Sequence, residues 1–363
     1  MPVYGSATAY RLHDIGYAID IERVATLLSD ATRGRSRPAR LEAQTFQIRN
    51  PPLSLSLGER TIWIGGAERV AVVSARLFDF GVCSLRLTVP AVGVTSWGEY
   101  AAFGITFDAS PEVADTLERE LATLMERIRP AIERPEIAPV VEDYVVFRLQ
   151  SLDGLAAPET PQASLTDEDF VPLLVREERP LSPAARRELL SHRFSYYADD
   201  LAILTWDNAL VVEPRVDDED VEFVLEFANA QLLELRVYDA QLDAELPALY
   251  DRIAERRRGP PLTGSYRPLM ADMQTRVADI TEIVERAENA FKVTDDVYLA
   301  RVYAAALELF RERAWRRGID RKLQIFRDTY TMLNAEAQVA RAELMEIVIV
   351  VLIAAELVIG FIR

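Results

Sequence analysis

Apolar positions along this chain follow two different rhythms. Up to about residue 215 they recur mostly every second residue, and beyond that every third or fourth. In the first stretch, 6–12 alternates as a strand, 19–28 reads as a short helix and 45–49 as a second strand. Residues 67–78 and 82–89 are rich in β-branched side chains and flank Asp79-Phe80-Gly81, a hairpin turn. Ser110-Pro111-Glu112 opens a helix, with Ser at the N-cap, Pro at the first helical position and an acid in the first turn. That helix runs to about residue 132 and is stopped by Pro135. Residues 140–149 form a further strand, and 201–206 with 209–212 a second hairpin around Asp207-Asn208. This order predicts an α+β head, an antiparallel sheet with helices on one face. It occupies 1–150 and is completed by the hairpin region 184–215. Residues 151–183, rich in Pro, Ala, Asp and Glu, read as a loop or insertion.

From Val221 the period lengthens. Val221, Leu225, Ala228, Leu232, Leu235, Leu242, Leu246, Leu249 and Ile253 repeat at 4,3 spacing, broken only by Asp239. Pro247 should bend this helix, and Arg256-Arg257-Arg258-Gly259-Pro260-Pro261 ends it. A second helix is expected over 268–291. A third is capped by Thr294-Asp295-Asp296 and ends at Gly318. A fourth carries the seam Ile319, Leu323, Phe326, Tyr330, Leu333, Ala337, Ala340, Leu344, Ile347 and Val351. These predict an antiparallel long-helix bundle over 216–343.

The fourth seam passes into 344–362, LMEIVIVVLIAAELVIGFI, the most apolar stretch of the chain. As a helix it would rise about 28 Å, close to the ~30 Å hydrocarbon core of a bilayer. The expectation is one transmembrane helix over 344–363, with Leu344, Ile347, Val351, Ala354, Val358 and Phe361 in the span. A buried helix of a soluble oligomer is the alternative. Glu356 is the polar group inside the run, and such a carboxyl should be neutral or paired with a second span. Basic residues precede the run and only Arg363 follows it. The positive-inside rule then keeps the head on the cytoplasmic side, or in an organelle's matrix, as a single-pass tail-anchored protein.

Composition narrows the function classes. The formal net charge is −17, which argues against direct DNA binding by the whole molecule. One cysteine, Cys83, excludes an intrachain disulfide. The N-terminus lacks the pattern of a secretory signal. His13 and His192 have no metal-ligand companion at helical spacing, and neither a phosphate-cradling loop nor a Gly-x-Ser-x-Gly elbow occurs. No catalytic, cofactor or metal residue is therefore assigned. Two acidic clusters remain, Asp199-Asp200 and Asp217-Asp218-Glu219-Asp220. The second is explained by the dipole of the helix that follows it, and its spacing matches no Ca²⁺ loop. Arg313, Arg316, Arg317, Arg321 and Lys322 form a basic turn between the third and fourth helices, either solvated or a docking patch for anionic lipid or RNA.

Three segments resemble the "required for meiotic nuclear division" family: Phe227-Ala-Asn-Ala-Gln-Leu-Leu-Glu-Leu-Arg236, the Asp-Asp-Val-Tyr turn 295–298, and the ending Arg341-Ala-Glu-Leu-Met-Glu346 with its apolar run and Glu356. The likeness covers roughly 195–363, and the turn departs from the family's Pro-and-Trp version. It implies a domain of unknown function with one C-terminal span, linked in some members to translation at a membrane. By the same likeness the chain would face the cytoplasm at a bacterial inner membrane, and the expectation is a non-enzymatic, membrane-anchored scaffold. Its partners would be the bilayer and a protein, ribosome-associated by the same likeness, and the chain itself would form a homo-oligomer. The alternative is an oligomeric ion-handling protein with a channel-like stalk, although the two spans and the Gly-Met-Asn signature of magnesium channels are missing.

Overall fold

The computed structural model describes residues 3–32, 47–48, 51–152, 165–175, 180–258, 271, 273–275, 278, 281, 291–292 and 296–362. Its first elements are β1 (Val3–Asp14), β2 (Gly16–Ile19), α1 (Ile21–Thr32), β3 (Gln47–Ile48), β4 (Leu53–Ile64), β5 (Ala67–Leu77) and β6 (Val82–Pro90). Then come α2 (Trp97–Asp108), α3 (Pro111–Ile128), β7 (Ile132–Pro135), β8 (Val141–Leu152), α4 (Asp167–Val175) and α5 (Pro183–Leu189). The remainder is β9 (Arg193–Phe194), β10 (Leu201–Leu204), β11 (Asn208–Val212), α6 (Asp220–Arg258), β12 (Phe291–Lys292), α7 (Val297–Leu309) and α8 (Glu312–Ile362). They form two compact units: 1–237 with 286–313, and 238–285 with 314–363.

The first unit is α+β, built on an eight-stranded sheet in the order β4-β5-β6-β1-β8-β11-β10-β9. The sheet is mixed rather than antiparallel. β11 runs parallel to β8, with Asn208 opposite Val145 and Val212 opposite Leu149. Parallel neighbours need a crossover connection, and α4, α5, β9 and β10 lie in the one between these strands. Within it, α4 replaces part of the expected loop 151–183, burying Phe170, Leu173 and Leu174. The hairpin between β5 and β6 turns at Gly81, whose φ of +104° suits glycine. A Cβ there would sit 2.0 Å from the Gly16 carbonyl oxygen.

Side chains alternate across the strands, so the sheet has two distinct faces. One carries Ala7, Val73, Ala75, Leu85, Leu87, Phe147 and Leu210 into a core with Tyr100, Phe107, Leu117, Leu121 and Phe170 from α2, α3 and α4. The other carries Tyr10, Arg76, Arg86, Tyr144 and Arg148 toward the start of α6. There Phe223, Phe227 and Leu233 are buried, and so are Glu222, Glu226 and Glu234.

In the second unit the heptad positions Leu242, Leu249 and Ile253 of α6 are buried, as are Ile319, Leu323, Phe326 and Leu333 of α8. Asp239, the break in the first seam, accepts Lys322 Nζ at 2.7 Å, and Asp243 accepts it at 2.6 Å. The third helix does not run to Gly318. α7 ends at Leu309, Arg311 adopts φ +54°, and α8 begins at Glu312. Gly318 lies inside α8 for closeness, since a Cβ there would meet Asp239 Oδ1 at 3.3 Å. Most of the helix expected over 268–291 lies outside the described residues, and Phe291 belongs to β12, paired with β3.

The transmembrane helix is corrected. Among the described residues no helix is long and apolar enough to cross a membrane. α8 continues unbroken to Ile362. Its apolar run carries two acidic residues, Glu346 and Glu356, each costly inside a hydrocarbon core. Ile347, Val351, Ala354 and Glu356 are exposed, and the side chains of Leu344, Val358 and Phe361 lie outside the described residues. The single-pass inner-membrane placement, and the membrane and tail-anchor reading with it, lose their support.

Candidate functional site

The feature of the first unit with most chemical character is a cleft of about 200 Å³ where three segments converge. The turn after β9 supplies Tyr196, Tyr197 and Asp200. The loop leaving β11 supplies Glu213, Arg215 and Asp218 before Asp220 and Glu222 on α6. Asp296 and Tyr298 come from the start of α7. Topology brings these together. β11 lies between β8 and β10, and Glu213 N–H donates to Leu149 O at 2.9 Å, which aims the outgoing loop across the end of β8.

The tyrosines form a connected wall. Tyr196 meets Tyr197 edge-on at 4.8 Å between ring centroids and Tyr298 at 5.6 Å. Tyr196 and Tyr197 are largely exposed. Burial holds the Tyr298 phenol above its ordinary value, and the carboxylates of Asp200, Glu213, Asp218 and Asp296 push it further. The ring therefore stands in a negative field, and its hydroxyl stays protonated at neutral pH.

Six carboxylates and one guanidinium line this space. Several are satisfied by the local backbone. Asp200 Oδ1 accepts from the Tyr196 and Tyr197 N–H groups at 2.8 and 3.0 Å. Asp296 caps α7, accepting from Tyr298 and Leu299 N–H at 2.8 and 3.2 Å. Asp218 Oδ1 accepts from Asp220 N–H at 3.3 Å. Such acids at helix starts oppose the helix dipole and need no ligand.

Glu222 is different. It is 5% exposed, its Oε1 accepts from Arg148 Nη1 at 2.7 Å, and its Oε2 has no hydrogen-bond partner among the described residues. Burial pushes its carboxyl up to about 7, against the pull of Arg148. Arg148 also donates through Nη2 to the backbone oxygen of Arg215 at 2.7 Å, so one guanidinium fixes both the buried acid and the loop at the cleft mouth.

Behind the cleft the same sheet face continues as a ladder of ion pairs. Arg86 meets Glu219 at 3.0 Å, Arg76 meets Glu226, and Arg236 meets Glu142. Burial raises Glu219, but Arg86, with Arg76 and Arg148 beyond it, carries it below the ordinary carboxylate range.

The acidic clusters read from the sequence thus contribute Asp200, Asp218 and Asp220 to one place. Among the described residues no group of three or more His, Cys, Asp or Glu side chains could hold a metal ion. His13 is buried and depressed by burial, with Glu118 3.7 Å away. His192 Nδ1 contacts Ser191 Oγ at 3.2 Å. Cys83 is buried and its thiol is pushed up to about 12 by burial. The basic residues Arg313, Arg316, Arg317, Arg321 and Lys322 lie within α8 rather than on a turn. Sequence reading missed Glu222 and the tyrosines, although Tyr196-Tyr197 beside Asp199-Asp200 was a local signal.

The family model described as "Uncharacterized protein MJ0711, N-terminal domain" matches residues 4–219. The chain belongs to that family. The match takes in the sheet and the cleft as far as Glu219, while Glu222, Asp296 and Tyr298 lie beyond it. "Uncharacterized protein MJ0711" of Methanocaldococcus jannaschii is 26% identical over 173 residues, which is 48% of this chain and 52% of the relative. The chain thus spans about half the length of that curated relative. No solved structure matches. The family shown is this one, and the likeness to the "required for meiotic nuclear division" family rests on the quoted motifs alone.

Proposed function

We propose that this is a non-enzymatic interaction protein whose α+β unit takes up a basic side chain of a partner protein in the tyrosine-walled cleft. The observation that carries the reading is Glu222. A buried carboxylate oxygen without a partner costs free energy that a hydrogen-bonding cation recovers. Its surroundings suit the same ligand, because aromatic faces attract ammonium and guanidinium groups and the neighbouring carboxylates set a negative field. The raised Tyr298 phenol and the buried Glu222 offer no nucleophile poised against a base, which favours binding over catalysis. The ion-handling alternative is not carried further, since no metal-holding group stands among the described residues.

The test is a titration of the full chain with a lysine-rich peptide and a glutamate-rich peptide of equal length, followed by calorimetry. The lysine peptide should bind, and Glu222→Gln should weaken it about tenfold, the scale of one charge-assisted hydrogen bond. Equal binding of both peptides, or an unchanged affinity in a folded Glu222→Gln protein, would overturn the reading.

A further inference from the structure

One cation already sits at the mouth of the cleft, and it belongs to the chain itself. We propose that Arg215 is a tethered stand-in for the ligand, whose guanidinium occupies the outer half of the cation site and swings out when a partner's basic side chain enters. This rests on the docking reading above and adds the element that sets its affinity.

The contacts of Arg215 are those a ligand cation would make. Its guanidinium carbon lies 5.3 Å from the Tyr197 ring centroid, over the aromatic face. Nε donates to Glu213 Oε1 at 3.2 Å, and Nη2 pairs with Asp218 Oδ2. The Glu213 bond, together with the charges of Asp218 and Glu213, strengthens its hold on the proton.

The backbone and the side chain of Arg215 are held very differently. The backbone is pinned: its N–H donates to Glu213 Oε1 at 2.9 Å and its carbonyl oxygen accepts Arg148 Nη2 at 2.7 Å. The side chain is 59% exposed. Ion pairs and cation–π contacts at such exposure are weak, so the guanidinium leaves at small cost while the loop stays in place. Nor does Arg215 satisfy the whole site. Glu222, which also lines the cleft, keeps Oε2 without a hydrogen-bond partner among the described residues, so an ammonium that reaches it gains a buried bond that Arg215 does not make. A resident cation of this kind excludes weak or anionic ligands and admits one that reaches Glu222.

The prediction has an uncommon sign, for removing a side chain from the site should tighten binding. With N-acetyl-lysine amide as probe and full-length protein, Arg215→Gln should raise affinity about fivefold, the worth of the exposed contacts it frees. Arg215→Lys, which keeps a cation, should give less than half that gain. Arg193→Gln is the control for bulk charge. Arg193, on the neighbouring β9, pairs with Asp167 at 3.0 Å and does not line the cleft. A gain from Arg193→Gln equal to that from Arg215→Gln would reduce the effect to net charge and overturn the proposal. So would unchanged or weaker binding in Arg215→Gln, an outcome that leaves the docking reading standing if the wild type binds. If N-acetyl-glutamate amide binds the wild type and Arg215→Gln abolishes it, Arg215 is an anion receptor and both readings fall. If the lysine probe binds neither protein, both fall as well.

Discussion

The two faces of the central sheet solve the same packing problem with opposite chemistry. On one face, Val73, Ala75, Leu85, Leu87 and Phe147 meet the apolar sides of α2, α3 and α4. On the other, Arg76, Arg86 and Arg148 meet Glu226 of α6, Glu219 just before it and Glu222 of α6. Buried apolar area stabilises in proportion to its size and tolerates modest reshaping. Buried charge roughly cancels its own desolvation and survives only while every partner is present. The apolar face therefore supplies stability, whereas the charged face fixes positions. That division explains why the cleft lies on the charged side, where Arg148 holds both Glu222 and the loop of Arg215.

The sharpest way to break this comparison is to remove one partner and then both. Arg76 and Glu226 are 2% and 0% exposed. Arg76→Met alone should cost about 3–5 kcal/mol, because it strands a buried carboxylate. Adding Glu226→Leu should recover most of that loss, giving a double variant near wild-type stability. On the apolar face Leu87→Ala should cost about 2–5 kcal/mol with no such rescue available. Urea denaturation of the four proteins decides it. If the Arg76/Glu226 double variant is as unstable as the single, the ladder is a net source of stability and the distinction between the faces is wrong.

A second effect belongs to the charged side and to Asp14. Burial raises both Glu222 and Asp14 to about 7. Both are above their values in an unfolded chain, so between roughly pH 4.5 and 7 the folded protein holds more protons than the unfolded one. Stability from these groups is present below that window and is lost as pH rises through it, by about 3–4 kcal/mol for a shift of this size at Glu222. His13, depressed by burial, works the other way below its ordinary value, so the decline shows most clearly between about pH 6.5 and 7. Glu222→Gln should flatten that slope in thermal melts. Over the same window a lysine peptide should bind more tightly as Glu222 ionises. A stability curve unchanged by Glu222→Gln would remove this carboxyl from the account.

Local pattern made much of the apolar face legible and little of the charged one. The hairpin of β5 and β6, and α3 with Pro111 at its first position, follow directly from period and caps. β4 escaped because its register shifts between Ser56 and Gly58. The inward side chains are odd-numbered at Leu55 and even-numbered at Ile62 and Ile64, so no single alternation fits. α4 is nine residues long and contains Pro172, too short and broken to show a period. The parallel contact of β8 with β11 is a long-range choice that neither strand records alone. The candidate site suffers most from this. Its acids lie in three segments, each with a sufficient local explanation as a cap or turn, and only the sheet order makes them one cleft.

The smallest predicted effect tests whether burial, rather than residue type, separates the two faces. Arg60 and Glu120 form a better-aligned pair than most of the ladder, with Nε and Nη2 donating to the two carboxylate oxygens at 2.6 and 2.9 Å. They join β4 to α3 on the apolar side of the sheet, and Arg60 is 38% exposed. Water already solvates such a guanidinium in the folded state, so removing its partner strands no buried charge. Glu120→Gln should therefore cost only about 0.5–1 kcal/mol, even though two bonds are weakened, whereas removing one buried ladder partner costs several times more. The comparison requires that ordering by denaturation at moderate salt. A loss at Glu120 as large as that at Arg76 would mean that the chemistry of the pair, and not its removal from water, governs both faces.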